Sequence, residues 1–239
     1  DQYLGVGHEI IFSVYQDHIN TQAYGGTTYI INAQVGGKMD YADYGLGGNG
    51  WGGLRVTPQF VDKFQSGDQR ATFFTKGQNK EITDISDFTS GYAFTKFTNL
   101  KADGSALADA NSFPDTDFPV FRLGDVYLML AECQVVGGVS CDGIAKFNEI
   151  RTRAGVDAIV NPNKNDIINE RARELAWECH RRSDLVRFGL LTTNDYLWSY
   201  KGMNSNVGTP RAVDAKYNLF PLASSDIISN PNLKQNAGY

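Results

Sequence analysis

Ile168-Asn169-Glu170-Arg171-Ala172-Arg173-Glu174-Leu175-Ala176-Trp177-Glu178 is the stretch on which the fold turns. Ile168, Ala172, Leu175, Ala176 and, just beyond, Cys179 recur at helical spacing and form one apolar stripe. Asn165-Asp166 stands ahead of it as a cap. Upstream, Leu123, Val126, Tyr127, Leu130 and Ala131 make a second stripe that starts soon after Pro119 and stops before Gly137-Gly138. Another helix is predicted from about Asp142 to Ala154, presenting Ile144, Phe147 and Ile150, with Gly155 as its left-handed cap. Two antiparallel helices joined by a short Gly-containing turn are the unit of helical repeats. Downstream, Leu185, Val186 and Phe188 predict a short fourth helix closed by Gly189; after Leu191 the chain reads as loop, with Tyr217–Leu222 its one apolar run.

The first half has another texture. Glu9–Tyr15 carries β-branched and aromatic residues and reads as a short strand. Gly25-Gly26, Gly36-Gly37 and the glycines from Gly45 to Gly53 then punctuate Tyr24, Tyr29, Tyr41, Tyr44 and Trp51, which predicts irregular loops displaying rings. Thr57-Pro58 followed by Phe60, Val61 and Phe64 predicts a short amphipathic helix ending by Gly67. Ala71–Phe97 reads as short strands and loops, and Lys101–Pro119 as a polar loop. The expected layout is one domain, mainly α-helical: a loop-rich mixed region with short strands at 1–118, a helical layer at 119–191 and C-terminal loops at 192–239.

Composition narrows the function. A formal net charge of −5 gives a field that repels phosphate backbones, so no nucleic-acid partner is expected. The longest apolar stretch, Val120–Val136, is broken by Arg122, Asp125 and Glu132, so no membrane span is expected. Asp1–Gly5 has neither a basic nor an apolar signal region, and no secretion signal is expected within this sequence. Cys133, Cys141 and Cys179 have no metal-ligand spacing; they read as buried, small apolar residues, with a Cys133–Cys141 bridge sterically conceivable.

Enzyme signatures fail one by one. Gly45-Leu46-Gly47-Gly48-Asn49-Gly50 matches GxGxxG as a string, but Trp51-Gly52-Gly53 follows where a dinucleotide site needs a helix. Neither HExxH nor GxSxG occurs. Asn161–Asp166 lacks the glycine and distal glutamate of a calcium loop. These motifs point to no catalytic residue, metal or cofactor, while spacing alone leaves open a triad or a carboxylate pair drawn from distant segments. The charges of Glu170–Arg187 read as a solvated or helix-packing network, with Arg171–Glu174 and Glu178–Arg181 as opposite-sign neighbours three residues apart. What remains is the aromatic tract. A ring offers an apolar platform to the C–H face of a sugar while Asn and Asp side chains bond hydroxyls, and Trp51, Tyr41, Tyr44, Tyr24 and Tyr29 with Asn49, Asp40 and Asp43 supply those ingredients. Several of these rings could equally plug a loop-rich layer against the helices.

Phe121-Arg122-Leu123-Gly124-Asp125-Val126-Tyr127-Leu128-Met129-Leu130-Ala131-Glu132, Phe147-Asn148-Glu149-Ile150-Arg151-Thr152-Arg153-Ala154-Gly155-Val156 and the Ile168–Glu178 stretch together resemble the SusD/RagB family. Arg182–Gly189, Leu219–Leu222 and the tail from Asn230 continue the resemblance, and Gly50-Trp51, Thr57-Pro58, Phe60–Phe64 and Asp68-Gln69-Arg70 extend it upstream. The resemblance implies a SusD-like helical domain with tetratricopeptide-like helix pairs, of which this chain is the C-terminal half. It further implies a non-catalytic, outer-membrane, cell-surface lipoprotein of Bacteroidetes that binds oligo- or polysaccharide and passes it to a TonB-dependent, SusC-like transporter. The membrane link would be a lipidated cysteine upstream of this sequence. Glu170, Arg171, Glu174, Asp184 and Arg187 fall on the family's helix motif, with the implied role of holding the helical layer together. Two rivals stand beside this reading: a helical-repeat protein–protein scaffold without a sugar site, and a glycan-active enzyme with two carboxylates converging beside the aromatic loops.

Overall fold

The computed structural model describes residues 9–199 and 210–239, and among them it has seven α-helices, two short 3-10 helices and four short strands. Residues 1–5, read above for a signal, and residues 200–209 of the C-terminal loop lie outside the described part. The chain divides into two compact units, one ending at Cys179 and the other starting at His180.

In the first unit, β1 (Ile10–Val14) pairs antiparallel with β4 (Phe118–Arg122), and a shift in register falls around Phe12. The strand runs straight into α3 (Leu123–Val135), which packs against α4 (Gly143–Arg153) and α5 (Lys164–Glu174). Leu128, Ala131, Phe147, Ile150, Ile167 and Ile168 fill the space between these helices. A Cβ on Gly143 would collide with the backbone of Leu130 and Ala131, so glycine is what lets α4 start close against α3.

Three features of this layer differ from the sequence reading. The inner face of α3 is Gly124, Asp125, Leu128 and Ala131, while Leu123 and Val126 are exposed and Tyr127 and Leu130 are half-buried. Asp125 sets that rotation, because its carboxylate lies 2.9 Å from Arg171 on α5. The cap of α5 is Asn163, whose side chain accepts from the amides of Asn165 and Asp166 while Asp166 accepts from the amide of Asn163. The helix stops at Glu174; Trp177 and Cys179 take left-handed backbone angles, so the stripe does not continue through Ala176 to Cys179. Cys133 and Cys179 are exposed, Cys141 is half-buried, and all three are free thiols. They are not buried apolar residues, and no Cys133–Cys141 bridge forms.

The loop-rich region holds a helix that the sequence reading placed in loop. Gly26–Gln34 is α1, despite two threonines and two isoleucines with low helix propensity, because burial of Thr27, Thr28, Ile30, Ile31 and Ala33 outweighs propensity. Ile30, Ile31, Val35, Met39, Leu46, Ala93 and Phe97 form its core, with Tyr44, Phe88 and Trp177 packed against it. The helix predicted after Thr57 is a single turn, α2 (Pro58–Val61); Phe60 and Phe64 meet edge to face with ring centres 5.1 Å apart and contact Phe73 and Phe94. Those two rings belong to the expected short strands, β2 (Phe73–Phe74) and β3 (Ala93–Phe94), which pair antiparallel.

The second unit contains α6 (Arg181–Arg187), followed by Gly189 in a left-handed conformation, and α7 (Ser224–Ser229). The latter and a 3-10 turn at Ala215–Asn218 interrupt what the sequence suggests is continuous loop. The Tyr217–Leu222 run is not a core segment, since Leu219 and Phe220 are exposed and Arg182 stacks 4.0 Å over the Phe220 ring.

Candidate functional site

The site begins at the C-terminal end of α1. Its unsatisfied carbonyls accept from the next pass of the chain: Trp51 N–H donates to Asn32 O (2.8 Å), Gly52 to Val35 (2.8 Å) and Leu54 to Ala33 (2.7 Å). Such close backbone crossing leaves no room for side chains. A Cβ on Gly36 would stand 2.7 Å from Gly52 Cα, and one on Gly50 would collide with the Val35 carbonyl. The glycines of this tract are therefore the means by which Trp51 is laid on the helix.

Four rings converge there. Tyr24 precedes α1, Tyr29 sits on it, Trp51 crosses its end, and Phe113 comes from the distant loop at 101–117, since Phe118 and Pro119 of the expected loop belong to β4. Ring centres lie 6.1 Å (Tyr24–Trp51), 6.3 Å (Tyr29–Trp51) and 5.1 Å (Tyr24–Phe113) apart, all tilted. Tyr24 is 70% exposed, Tyr29 48% and Trp51 42%, so these are ring faces offered to solvent. Asn49, two residues before Trp51, is exposed as well.

Tyr41 and Tyr44 go elsewhere. They bracket a 3-10 turn (Tyr41–Tyr44) capped by the Asp40 carboxylate, and Tyr44 packs on the core, where burial and then the nearby Asp43 raise its hydroxyl pKa. Among the described residues, Trp51 has ring contacts with Tyr24 and Tyr29, and neither Tyr41 nor Tyr44 joins them. Phe113, the fourth ring, escapes the sequence reading; its one signal is being the lone aromatic between residues 98 and 117.

Side chains tie the Phe113 loop down. Asn32 Nδ2 donates to Ser112 O (2.9 Å), and buried His18 meets Asp115 through Nδ1 (2.6 Å) and Asp109 through Nε2 (3.2 Å). The hydrogen bond to Asp115, then that to Asp109, raises the His18 pKa. Asp17, His18 and Asp115 each bring one ligand-type atom within 4.8 Å of the others, but the 2.6 Å hydrogen bond between His18 Nδ1 and Asp115 already engages two of the three.

The charge cluster predicted along α5 is buried, the helix-packing rather than the solvated alternative, and apart from Glu170–Arg173 its pairs run between elements. Glu174 pairs with Arg122 (2.8 Å), Arg70 (2.9 Å) and Arg153 (2.6 Å); Glu170 with Arg70, Arg151 (each 2.7 Å) and Arg173; Glu178 with Arg122 (2.7 Å) and Lys96. Burial alone would raise the Glu174 carboxyl, yet Arg122 and Arg153 hold its pKa at about 2. In the second unit, Asp184 pairs with Arg187 at 3.0 Å. A cavity of ≈ 720 Å³ lies beside this network, lined by Ser13, Lys96, Thr98, Asn99, Asp117 and Arg122 among others, and none of the four platform rings lines it. The exposed rings of the platform therefore lie outside that cavity.

Comparison with known proteins decides the family. Residues 76–239 match the SusD family, and the starch-binding protein SusD of Bacteroides thetaiotaomicron is 35% identical over 97% of this chain and 49% of its own length. The chain belongs to the SusD family. A SusD-like protein of Formosa agariphila is 31% identical over 80% of this SusD-family chain and 36% of its own length. Among solved structures, a surface glycan-binding protein A of Bacteroides thetaiotaomicron in complex with laminarihexaose superposes with a TM-score of 0.67 at 20% identity, over 95% of this chain and 52% of that one. A SusD superfamily protein from Parabacteroides distasonis gives 0.64 at 24% identity, over 97% of this chain and 50% of that one. These structures share the mainly helical fold. The chain spans about half the length of the curated SusD protein it matches, and no helix among its described residues is long and apolar enough to cross a membrane.

Proposed function

We propose that this SusD-family chain is the glycan-binding portion of a non-catalytic nutrient-uptake protein, and that the platform of Tyr24, Tyr29, Trp51 and Phe113 is its sugar-contacting surface. The observation that carries the reading is the convergence of four rings, three of them exposed, from segments far apart in sequence. Sugar rings stack their C–H faces on such surfaces, and exposed Asn49 supplies a hydrogen-bonding partner beside Trp51. The name of the 35% identical relative makes starch-type α-glucan the first ligand to try, and the laminarihexaose complex of the structural neighbour makes a β-glucan the second. The place of action is the outer-membrane surface, with a lipid anchor and a TonB-dependent, SusC-like transporter as membrane link and partner.

Affinity electrophoresis through gels containing starch, laminarin or another soluble polysaccharide tests the reading. The chain should be retarded by at least one of them, and Trp51→Ala together with Tyr24→Ala should run as in an empty gel. Free migration of the unmodified chain through every polysaccharide would overturn it. A second reading, a protein–protein scaffold, draws on the exposed apolar residues Leu123, Val126 and Met129 of α3; it gains if transporter binding occurs in a protein that no glycan retards.

A further inference from the structure

Arg55 lies four residues beyond Trp51, and both terminal nitrogens of its guanidinium are directed at one loop. Nη1 donates to the carbonyls of Asp84 (3.4 Å), Asp87 and Ser90 (2.6 Å), and Nη2 to that of Ile85 (2.7 Å). Four carbonyls gathered on one planar fork force residues 84–90 into a tight arch, which Ser90 Oγ closes from inside by accepting from the amides of Thr83 and Asp84. Gly91 is required beside it: its φ is +104°, and a Cβ there would press on Ile82 and on Arg55 itself. At the crown of the arch stands Phe88, packed against the α1 core. Its ring would touch a Cβ on Gly36 at 3.1 Å and one on Gly52 at 3.6 Å, so it lies on the crossing where Gly36 and Gly52 meet. Trp51 projects from that crossing.

We propose that Arg55 is the positioning residue of the ring platform: by gathering the 84–90 carbonyls it seats Phe88 against the Gly36–Gly52 crossing and thereby fixes the angle at which Trp51 meets a sugar chain. The inference rests on the glycan-binding reading for its functional consequence, but its structural half stands independently. A lysine replaces Arg55 poorly, because a single ammonium cannot stand both where Nη1 gathers the Asp84, Asp87 and Ser90 carbonyls and where Nη2 meets that of Ile85.

The test uses the full chain labelled with 5-fluorotryptophan, whose three tryptophans, Trp51, Trp177 and Trp198, give three fluorine resonances; Trp51→Phe assigns the first. Arg55→Lys should shift or broaden the Trp51 resonance alone and weaken binding of maltohexaose or laminarihexaose, whichever the unmodified chain binds, by about tenfold through lost preorganisation. Phe88→Ala, which leaves Arg55 intact, should move the same resonance. An unmoved Trp51 signal in Arg55→Lys, or equal movement of all three, overturns the proposal. Should Arg55→Lys fail to fold, Phe88→Ala decides by the same criterion. If the Trp51 signal moves as expected but Trp51→Phe and Trp51→Ala bind the sugar as the unmodified chain does, Arg55 positions a ring with no sugar role, and it is the glycan assignment of the platform that falls.

Discussion

Around Glu174 the chain buries charge, and around Trp51 it exposes rings; the two regions are held by different physics. In the helical layer, Glu170, Glu174 and Glu178 are each fixed by two or more cations, most of them reaching in from other segments, so position comes from side-chain pairing. In the platform, position comes from backbone: carbonyls at the end of α1, glycine crossings without Cβ atoms, and a neighbouring arch. A buried ionic network tolerates little, because removing one partner strands the others without water. The platform leaves its rings exposed and depends on backbone and glycines lying beneath them.

The largest effect should come from Arg122, which binds Glu174 and Glu178. Arg122→Ala leaves both carboxylates buried with less counter-charge and should cost about 3–5 kcal/mol in urea unfolding. A cost below about 1 kcal/mol would mean that the layer is held by its apolar contacts alone. Next comes acid. The native Glu174 pKa of about 2 lies below its ordinary 4.5, so its contribution is full above pH 4.5 and disappears as pH falls through about 2. Urea midpoints measured from pH 5 to 2 should decline, and less so in Glu174→Gln; parallel declines would show that other groups carry the acid sensitivity.

Gly50→Ala addresses the platform from below. The added methyl meets the Val35 carbonyl, and a cost of about 1–3 kcal/mol is expected, with the Trp51 environment altered. Unchanged stability and an unchanged Trp51 signal would show that the crossing yields easily. The smallest effect should come from His18. Its raised pKa means that the imidazolium bridge to Asp115 and Asp109 is complete below pH 6.5 and is lost as pH rises through the elevated native value. Amide exchange corrected for intrinsic rate should quicken around Asn111–Asp115 over that rise, and His18→Gln should flatten the change.

The same contrast explains what could be read from sequence. The helix pair, the third helix and β1 were legible because apolar period, β-branched runs and glycine stops act locally, as at Phe147, Ile150 and Gly155, whereas β4 was not, its first residues reading as part of a polar loop. The rotation of α3 was not, since Asp125 points inward only because Arg171 waits on another helix. Likewise α1 hid behind Thr27, Thr28, Ile30 and Ile31, whose burial is decided by chain segments far away. Of the ring candidates, Tyr24, Tyr29 and Trp51 come together, while Tyr44 serves the core and Tyr41 stays apart. Nothing in the tyrosine spacing separates these fates, because a loop's path depends on contacts such as Trp51 N–H to Asn32 O that no local pattern encodes.

Isothermal titration of maltohexaose and laminarihexaose into the chain and into its Trp51→Ala variant tests the central claim most directly. Saturable binding of at least one by the unmodified chain, weakened at least about tenfold in the variant, is the expected result, tenfold being ~1.4 kcal/mol and modest for a central aromatic contact. Equal affinity in the two proteins would contradict the account and move the sugar away from the rings.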